Sequence, residues 1–396
     1  MSRRHGHVTP YCRRVRWAKR VLIGVAVLLL VVLVAGFGYL KVQSDRSVVL
    51  PAPSGPDRVG RAVYDWVDQS RMDPFAPNGS TPRELSVWIW YPAEPAPGAR
   101  SGSYWPADWQ RALGQAGGIN DLVHTRPALI HPHAVDDAPI SNSQQQYPVL
   151  VFAPGQGLPA ADYTTIAEDL ASNGYVVAGI NPTYSVDVVL TSDRVVRSVT
   201  KAQGADYRQL VSVWADDLRF VARQLDGIAT ASTGRFGGRL ESARTGYFGH
   251  SLGGAAAVQA CRHDDRCPGA ADLDGLLAGD VLRTGLGKPF LYLGSEGTLA
   301  TTAGAKAQVR SVLQGIPAGQ GHVLTVAGTQ HLNFTDRGVY FDLVDSLFLG
   351  SIDGARALRV TSTYVRAFFS SYLLGRADVL MTGPSATYPE VRAESV

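Results

Sequence analysis

Hydrophobic positions follow three patterns along the chain. Residues 21–40 form an unbroken run without a charged side chain. Twenty helical residues rise about 30 Å, the thickness of a bilayer core. Beyond residue 58 the pattern changes. Short apolar runs at 61–69, 84–91, 147–153, 175–180, 269–274, 288–294 and 322–327 read as strands. Segments 163–173, 207–225, 303–313 and 355–374 read as helices, the first closed by Asn173-Gly174. In 207–225, Leu210, Trp214, Leu218, Val221 and Leu225 fall on one helical face, which is most simply core. Strands alternating with helices predict a mostly parallel sheet covered by helices on both faces.

Two stretches have no tidy period. Residues 92–143 are rich in Pro, Gly and Ala and read as an irregular excursion bordering the pocket. Residues 184–205 read as a candidate cap over the site. Asn78-Gly79 marks the turn between the first two strands. The expected organisation is a basic tail (1–20), a transmembrane anchor (21–40), a linker (41–57) and one catalytic domain (58–396).

Charge sharpens the reading of the N-terminus. Arg3, Arg4, Arg13, Arg14, Arg16, Lys19 and Arg20 precede the apolar run, with no acid among them. Such a flank stays on the cytoplasmic side, so the rest of the chain is expected outside. Taking those seven charges from the net +3 leaves residues 21–396 at −4. No basic stripe suggests nucleic acid. A cleaved signal peptide is the rival for 21–40. The apolar run is longer than most signal cores and lacks a clear small-x-small site, which favours an anchor.

The chemistry is located by Gly249-His250-Ser251-Leu252-Gly253, a G-x-S-x-G motif between an apolar run and a small-residue helix at 255–260. That context makes a nucleophile elbow with Ser251 as nucleophile. A serine hydroxyl needs a histidine base and a carboxylate to orient it, in the chain order Ser, acid, His. His331 follows the C-terminal end of strand 322–327, where sites of such sheets lie, whereas His322 opens that strand. For the acid, Asp274 is at the rim end of strand 269–274, Asp272 sits lower and would need a buried partner, and Asp280 is third. The oxyanion donors are expected to be the amides of Leu252 and Gln156, the latter in Pro154-Gly155-Gln156-Gly157 after strand 147–153. His131, His133 and His263 read as loop histidines, and neither metal nor cofactor is expected.

These pieces together resemble the platelet-activating-factor acetylhydrolase family of α/β-hydrolases. The matching stretches are 87–93, 147–157, 166–180, 249–254, 272–275 and 328–336, spread over about residues 58–375. The resemblance implies an α/β-hydrolase fold with nucleophile Ser251, acid Asp274, base His331 and oxyanion amides from Gln156 and Leu252. It implies hydrolysis of short or oxidised acyl chains from phospholipid-like esters, with no metal. Two stretches depart from the family. Ala-Pro-Gly-Gln-Gly at 153–157 lacks a histidine before the first glycine, and Asn181-Pro182-Thr183-Tyr184 replaces a more basic run. Both changes touch pocket walls and hence substrate. The rivals are a polyester or cutin-type esterase, a peptidase on the same fold, and a non-catalytic tethered binding protein.

Three cysteines fit an exported domain. Cys12 precedes the anchor, while Cys261 and Cys267 bracket Arg-His-Asp-Asp-Arg and are expected to pair outside the cell. The alternatives are two free thiols or a metal site with His263 and Asp264.

Overall fold

The computed structural model describes residues 10–77, 79–113, 120–190, 194–231, 233–302 and 304–396. Ten strands form its main sheet: β1 (Arg58–Met72), β2 (Pro82–Ala93), β3 (Val135–Asp136), β4 (Tyr147–Ala153), β5 (Val176–Pro182), β6 (Leu240–His250), β7 (Ala270–Leu273), β8 (Phe290–Ser295), β9 (Gly321–Val326) and β10 (Val391–Ala393). Their order across the sheet is β10-β9-β8-β7-β6-β4-β5-β2-β1-β3. Among the described residues, six of the nine neighbouring pairs run parallel. The β1–β2, β2–β5 and β9–β10 pairs are antiparallel. With the helices described next, this is an α/β-hydrolase fold.

The helices are α1 (Pro10–Ser44), α2 (Thr164–Ser172), α3 (Tyr207–Thr230), α4 (Leu252–Arg262), α5 (Ala305–Val312) and α6 (Gly354–Tyr372). Strand β4 shows why both sheet faces are covered. Its side chains alternate, so Val149 and Val151 join the core under α3 and α4. Leu150 and Phe152 join the core under α2 and α6. The predicted stripe of α3, from Leu210 to Leu225, is buried against the first face. Asp206 caps α3 by accepting from the Arg208 amide, and Asp353 caps α6 by accepting from the Arg356 amide.

Helix α1 is longer than the apolar run, because the basic residues before it continue the helix. Its apolar stretch, within Trp17–Ser44, has a mean hydropathy of 3.0 and is not buried. It meets the globular part at Leu122, which shares a groove with Leu33, Phe37 and Leu40. Residues 1–9, with Arg3 and Arg4 of the basic tail, lie outside the described residues, as does Asn78 of the first turn.

Two expectations need correction. The 92–143 stretch is not wholly irregular: it holds short helices at Ala107–Leu113 and Asn120–Val123, and β3. Trp109 packs edge-on against Trp88, with ring centroids 5.0 Å apart. The 184–205 segment, described except for 191–193, is a small hairpin (Val188–Val189 with Val195–Val196) followed by a short helix. Val188, Val189 and Val196 are buried in the core shared with Trp88 and Trp109, so the hairpin packs into the body of the domain.

Candidate active site

Strand β6 ends at His250, and α4 begins at Leu252. Ser251 alone makes the turn between them, with φ 57° and ψ −124°. Few non-glycine residues tolerate that backbone, and holding one there stores local strain. The turn closes because Gly253 has no side chain: a Cβ there would stand 2.2 Å from the Ala153 carbonyl oxygen. Helix α4 therefore starts hard against the end of β4, where the Pro154–Gly157 loop begins. Leu252 is the first residue of α4, where helical amides have no intrahelical acceptor.

The neighbouring strand supplies the carboxylate. Strand β7 lies parallel to β6, and the Ser251 amide donates to the Leu273 carbonyl at 2.9 Å. The next residue, Asp274, also has a positive φ, 54°. Its carboxyl is fixed from three sides. Oδ1 accepts the Ser295 amide at 2.7 Å, and Oδ2 accepts the Ser295 hydroxyl at 3.0 Å. Oδ2 also accepts the Nδ1 hydrogen of His331 at 2.7 Å. Asp274 is buried while the His331 side chain is 43% exposed, so the imidazole reaches from a buried anchor into an open cleft.

Ser251, Asp274 and His331 line one cavity of about 460 Å³. Its other walls combine the polar side chains of Thr298, Thr301, Thr302, Glu296 and Gln330 with Tyr207 and Leu276. No described residue of 184–205 lines it. The other candidates are engaged elsewhere. Asp280 bonds the His263 ring at 2.9 Å, and His322 bonds the Tyr372 hydroxyl at 2.7 Å. His131 bonds the Ser47 hydroxyl at 2.8 Å, and His133 Nε2 donates to the Leu50 carbonyl at 2.9 Å. Cys261 and Cys267 form a disulfide between the end of α4 and the start of β7. Asp264 accepts from the Tyr247 hydroxyl and from Arg266.

Three site residues escaped the sequence. Ser295, which holds both Asp274 oxygens, directly follows the predicted strand 288–294. His250 and Tyr163 are the others. The Gly155 amide donates to the Tyr163 hydroxyl at 2.8 Å, and that hydroxyl donates to His250 Nδ1 at 2.7 Å. His250 Nε2 in turn donates to the His331 carbonyl at 3.0 Å. The rings of His250 and His331 lie 4.5 Å apart. Burial, with His331 beside it, pushes the His250 pKa well below that of an ordinary histidine. His250 is thus a neutral tie between the loop after β4 and the histidine loop. The Gly155 amide is committed to the Tyr163 hydroxyl.

Comparison with known proteins adds an independent line. The family model described as "Platelet-activating factor acetylhydrolase, isoform II" matches residues 43–183. A protein of Arthroderma benhamiae named "Probable 1-alkyl-2-acetylglycerophosphocholine esterase" is 27% identical over 379 residues, covering 87% of this chain and 93% of that one. The "Platelet-activating factor acetylhydrolase" of Cavia porcellus is 23% identical over 294 residues, covering 66% of this chain and 65% of that one. Among solved structures, a ferulic acid esterase from Streptomyces cinnamoneus superposes with a TM-score of 0.74 at 30% identity, covering 88% of this chain and all of that one. By fold the chain is an α/β-hydrolase, and by motif and relatives it is similar to the platelet-activating-factor acetylhydrolases.

Proposed function

We propose that this protein is a membrane-tethered serine esterase that cleaves short-acyl or oxidised phospholipid-type esters through Ser251, His331 and Asp274. The observation that carries the reading is the Asp274–His331 hydrogen bond opening onto the same cavity as a strained Ser251. Asp274 holds the Nδ1–H tautomer of His331, which leaves Nε2 free to take the serine proton. The serine oxygen then attacks the ester carbonyl. The Gln156 and Leu252 amides receive the oxyanion, the alcohol leaves with the proton from His331, and water hydrolyses the acyl-enzyme.

The polar side chains of the walls bear on substrate. Hydroxyls from three threonines suit a hydrated alcohol portion better than a long alkyl chain. The Streptomyces relative, named a ferulic acid esterase, supports one second reading, hydrolysis of feruloyl esters. Hydrolysis of nitrophenyl esters from two to twelve carbons, with Ser251→Ala as blank, tests the first reading. Activity should be greatest at the short end. A feruloyl ester turned over faster than any short-acyl phospholipid would favour the second.

The membrane reading rests on α1 with its basic N-terminal flank, which supports a catalytic domain on the outer side. The globular part is apolar next to that helix. The loop 341–348 bonds to Val123 and Thr125, and it exposes Leu343, Val344, Leu347 and Phe348. Exposed aliphatic and aromatic side chains beside a spanning helix suit the interfacial layer of a bilayer.

A further inference from the structure

Asp272 lies two residues before the acid and is fully buried. The proposed mechanism gives it no task. Its Oδ1 accepts the Gly275 amide at 2.9 Å, directly after the positive-φ residue Asp274. Its carboxyl also fills the space where two backbones meet. A Cβ on Gly254, in the first turn of α4, would stand 1.9 Å from Oδ1. A Cβ on Gly275 would stand 2.4 Å from that oxygen and from the Ser251 carbonyl oxygen. The carboxyl therefore touches the nucleophile turn on one side and the acid turn on the other.

Among the described residues, the other oxygen of Asp272 is buried without a hydrogen-bond partner, and so is the Tyr292 hydroxyl on β8. The titratable groups facing Asp272 are Asp274 on its own turn, Tyr207 from α3 and Tyr292 from β8. None is a cation. An ionised carboxyl in this place would have an unsatisfied oxygen in a dry interior and a second negative charge at its side. Burial, reinforced by Asp274, raises its pKa well above that of an ordinary carboxyl.

We propose that Asp272 is a positioning residue for the reaction at Ser251, an uncharged carboxyl group wedged between the nucleophile turn and the acid turn. The inference rests on the esterase reading above. Its content is that two strained residues, Ser251 and Asp274, keep their spacing through a third side chain that never meets substrate. Neutrality also spares the oxyanion a buried negative charge behind the elbow.

Asp272→Asn and Asp272→Leu, read against wild type in full-length protein with a short nitrophenyl ester, test this. Asn keeps an acceptor for the Gly275 amide without charge, and should retain kcat within about threefold. Leu has similar bulk and no acceptor, and should lower kcat about 10- to 100-fold with KM little changed, as expected for misplacement of reacting groups. Wild-type kcat in the Leu variant, or loss in the Asn variant as deep as in Ser251→Ala, would overturn the proposal. Thermal melting between pH 4 and 8 supplies a reading that needs neither catalysis nor the Leu variant. A carboxyl with a raised folded pKa stabilises below its unfolded pKa, and that stability is lost as pH rises toward the folded value. Asp272→Asn should therefore gain on wild type in melting temperature as pH rises, with the gap smallest near pH 4. A gap that shrinks with rising pH would mean an ionised Asp272 and would contradict the proposal. Wild type that hydrolyses no ester would sink the esterase reading, while the melting test of Asp272 would stand.

Discussion

His250 gives its Nε2 hydrogen to the backbone carbonyl of His331, 3.0 Å away, so the residue before the nucleophile holds the loop of the proposed base. The same ring accepts a hydrogen bond from the Tyr163 hydroxyl, which in turn accepts from the Gly155 amide. One side chain thus ties together three parts of the site. His250→Ala strands a buried hydroxyl and a carbonyl, at a typical cost of about 1–3 kcal/mol. Steady-state kinetics should show kcat lowered about 10- to 100-fold, with a much smaller change in KM.

The same burial sets a pH dependence of stability. His250 is neutral in the fold and protonates freely only when unfolded, so its folded pKa is depressed. Stability from such a group is complete above the unfolded pKa, about 6.5, and is lost as pH falls below it. Wild-type melting temperature should drop between pH 7.5 and 5. In His250→Asn that drop should be shallower, as measured by calorimetry.

The identity of the acid is open to direct test. Asp274→Asn removes the group that fixes the His331 tautomer and should cost about 10³- to 10⁴-fold in kcat. Asp280→Asn loses a contact to His263 and should leave kcat near wild type. Ser295→Ala should fall between them, since it removes one hydroxyl bond to Asp274 and leaves the Ser295 amide in place. Parallel kcat measurements on the three variants check the ranking.

Much of this site could be read from residue order. Periodicity found β4, β5, β7 and β8 because they are buried on both faces and read as short apolar runs. The G-x-S-x-G spacing is forced by a turn with no room for a Cβ at Gly253, so it survives as a local motif. Asp274 and His331 were legible because strand ends fix where a rim residue must be. What stayed hidden depends on side chains meeting across elements. Tyr163 reaches His250 over 87 residues of sequence, and Ser295 reaches Asp274 over 21. No local period records such pairings. The 92–143 excursion was misread for a like reason, since Trp109 packs on Trp88 and Val135–Asp136 pairs with β1, both distant in sequence.

The disulfide should matter modestly. Cys261 and Cys267 close a short loop, six residues apart in sequence, that links α4 to the strand leading to Asp274. Crosslinking so short a loop contributes about 2 kcal/mol in the chain-entropy account. The double Cys→Ser variant should lose about 2 kcal/mol of unfolding free energy in denaturant titration, with kcat within about threefold of wild type.

Topology can be read through the third cysteine. With Cys261 and Cys267 paired, Cys12 is the one remaining thiol of the chain. An impermeant maleimide should leave Cys12 unlabelled in intact cells and label it after permeabilisation. Labelling in intact cells would contradict a cytoplasmic N-terminus, and loss of residues 1–40 from the mature protein would mean cleavage in place of anchoring.

The central claim is that Ser251 is an activated nucleophile, and a fluorophosphonate probe reads that most directly. Incubated with folded wild-type protein and analysed by mass spectrometry, the probe should add once, on the peptide containing Ser251. Ser251→Ala should stay unmodified, and Asp274→Asn should react far more slowly. A folded wild type that takes no label, or takes it on another residue, would contradict the account.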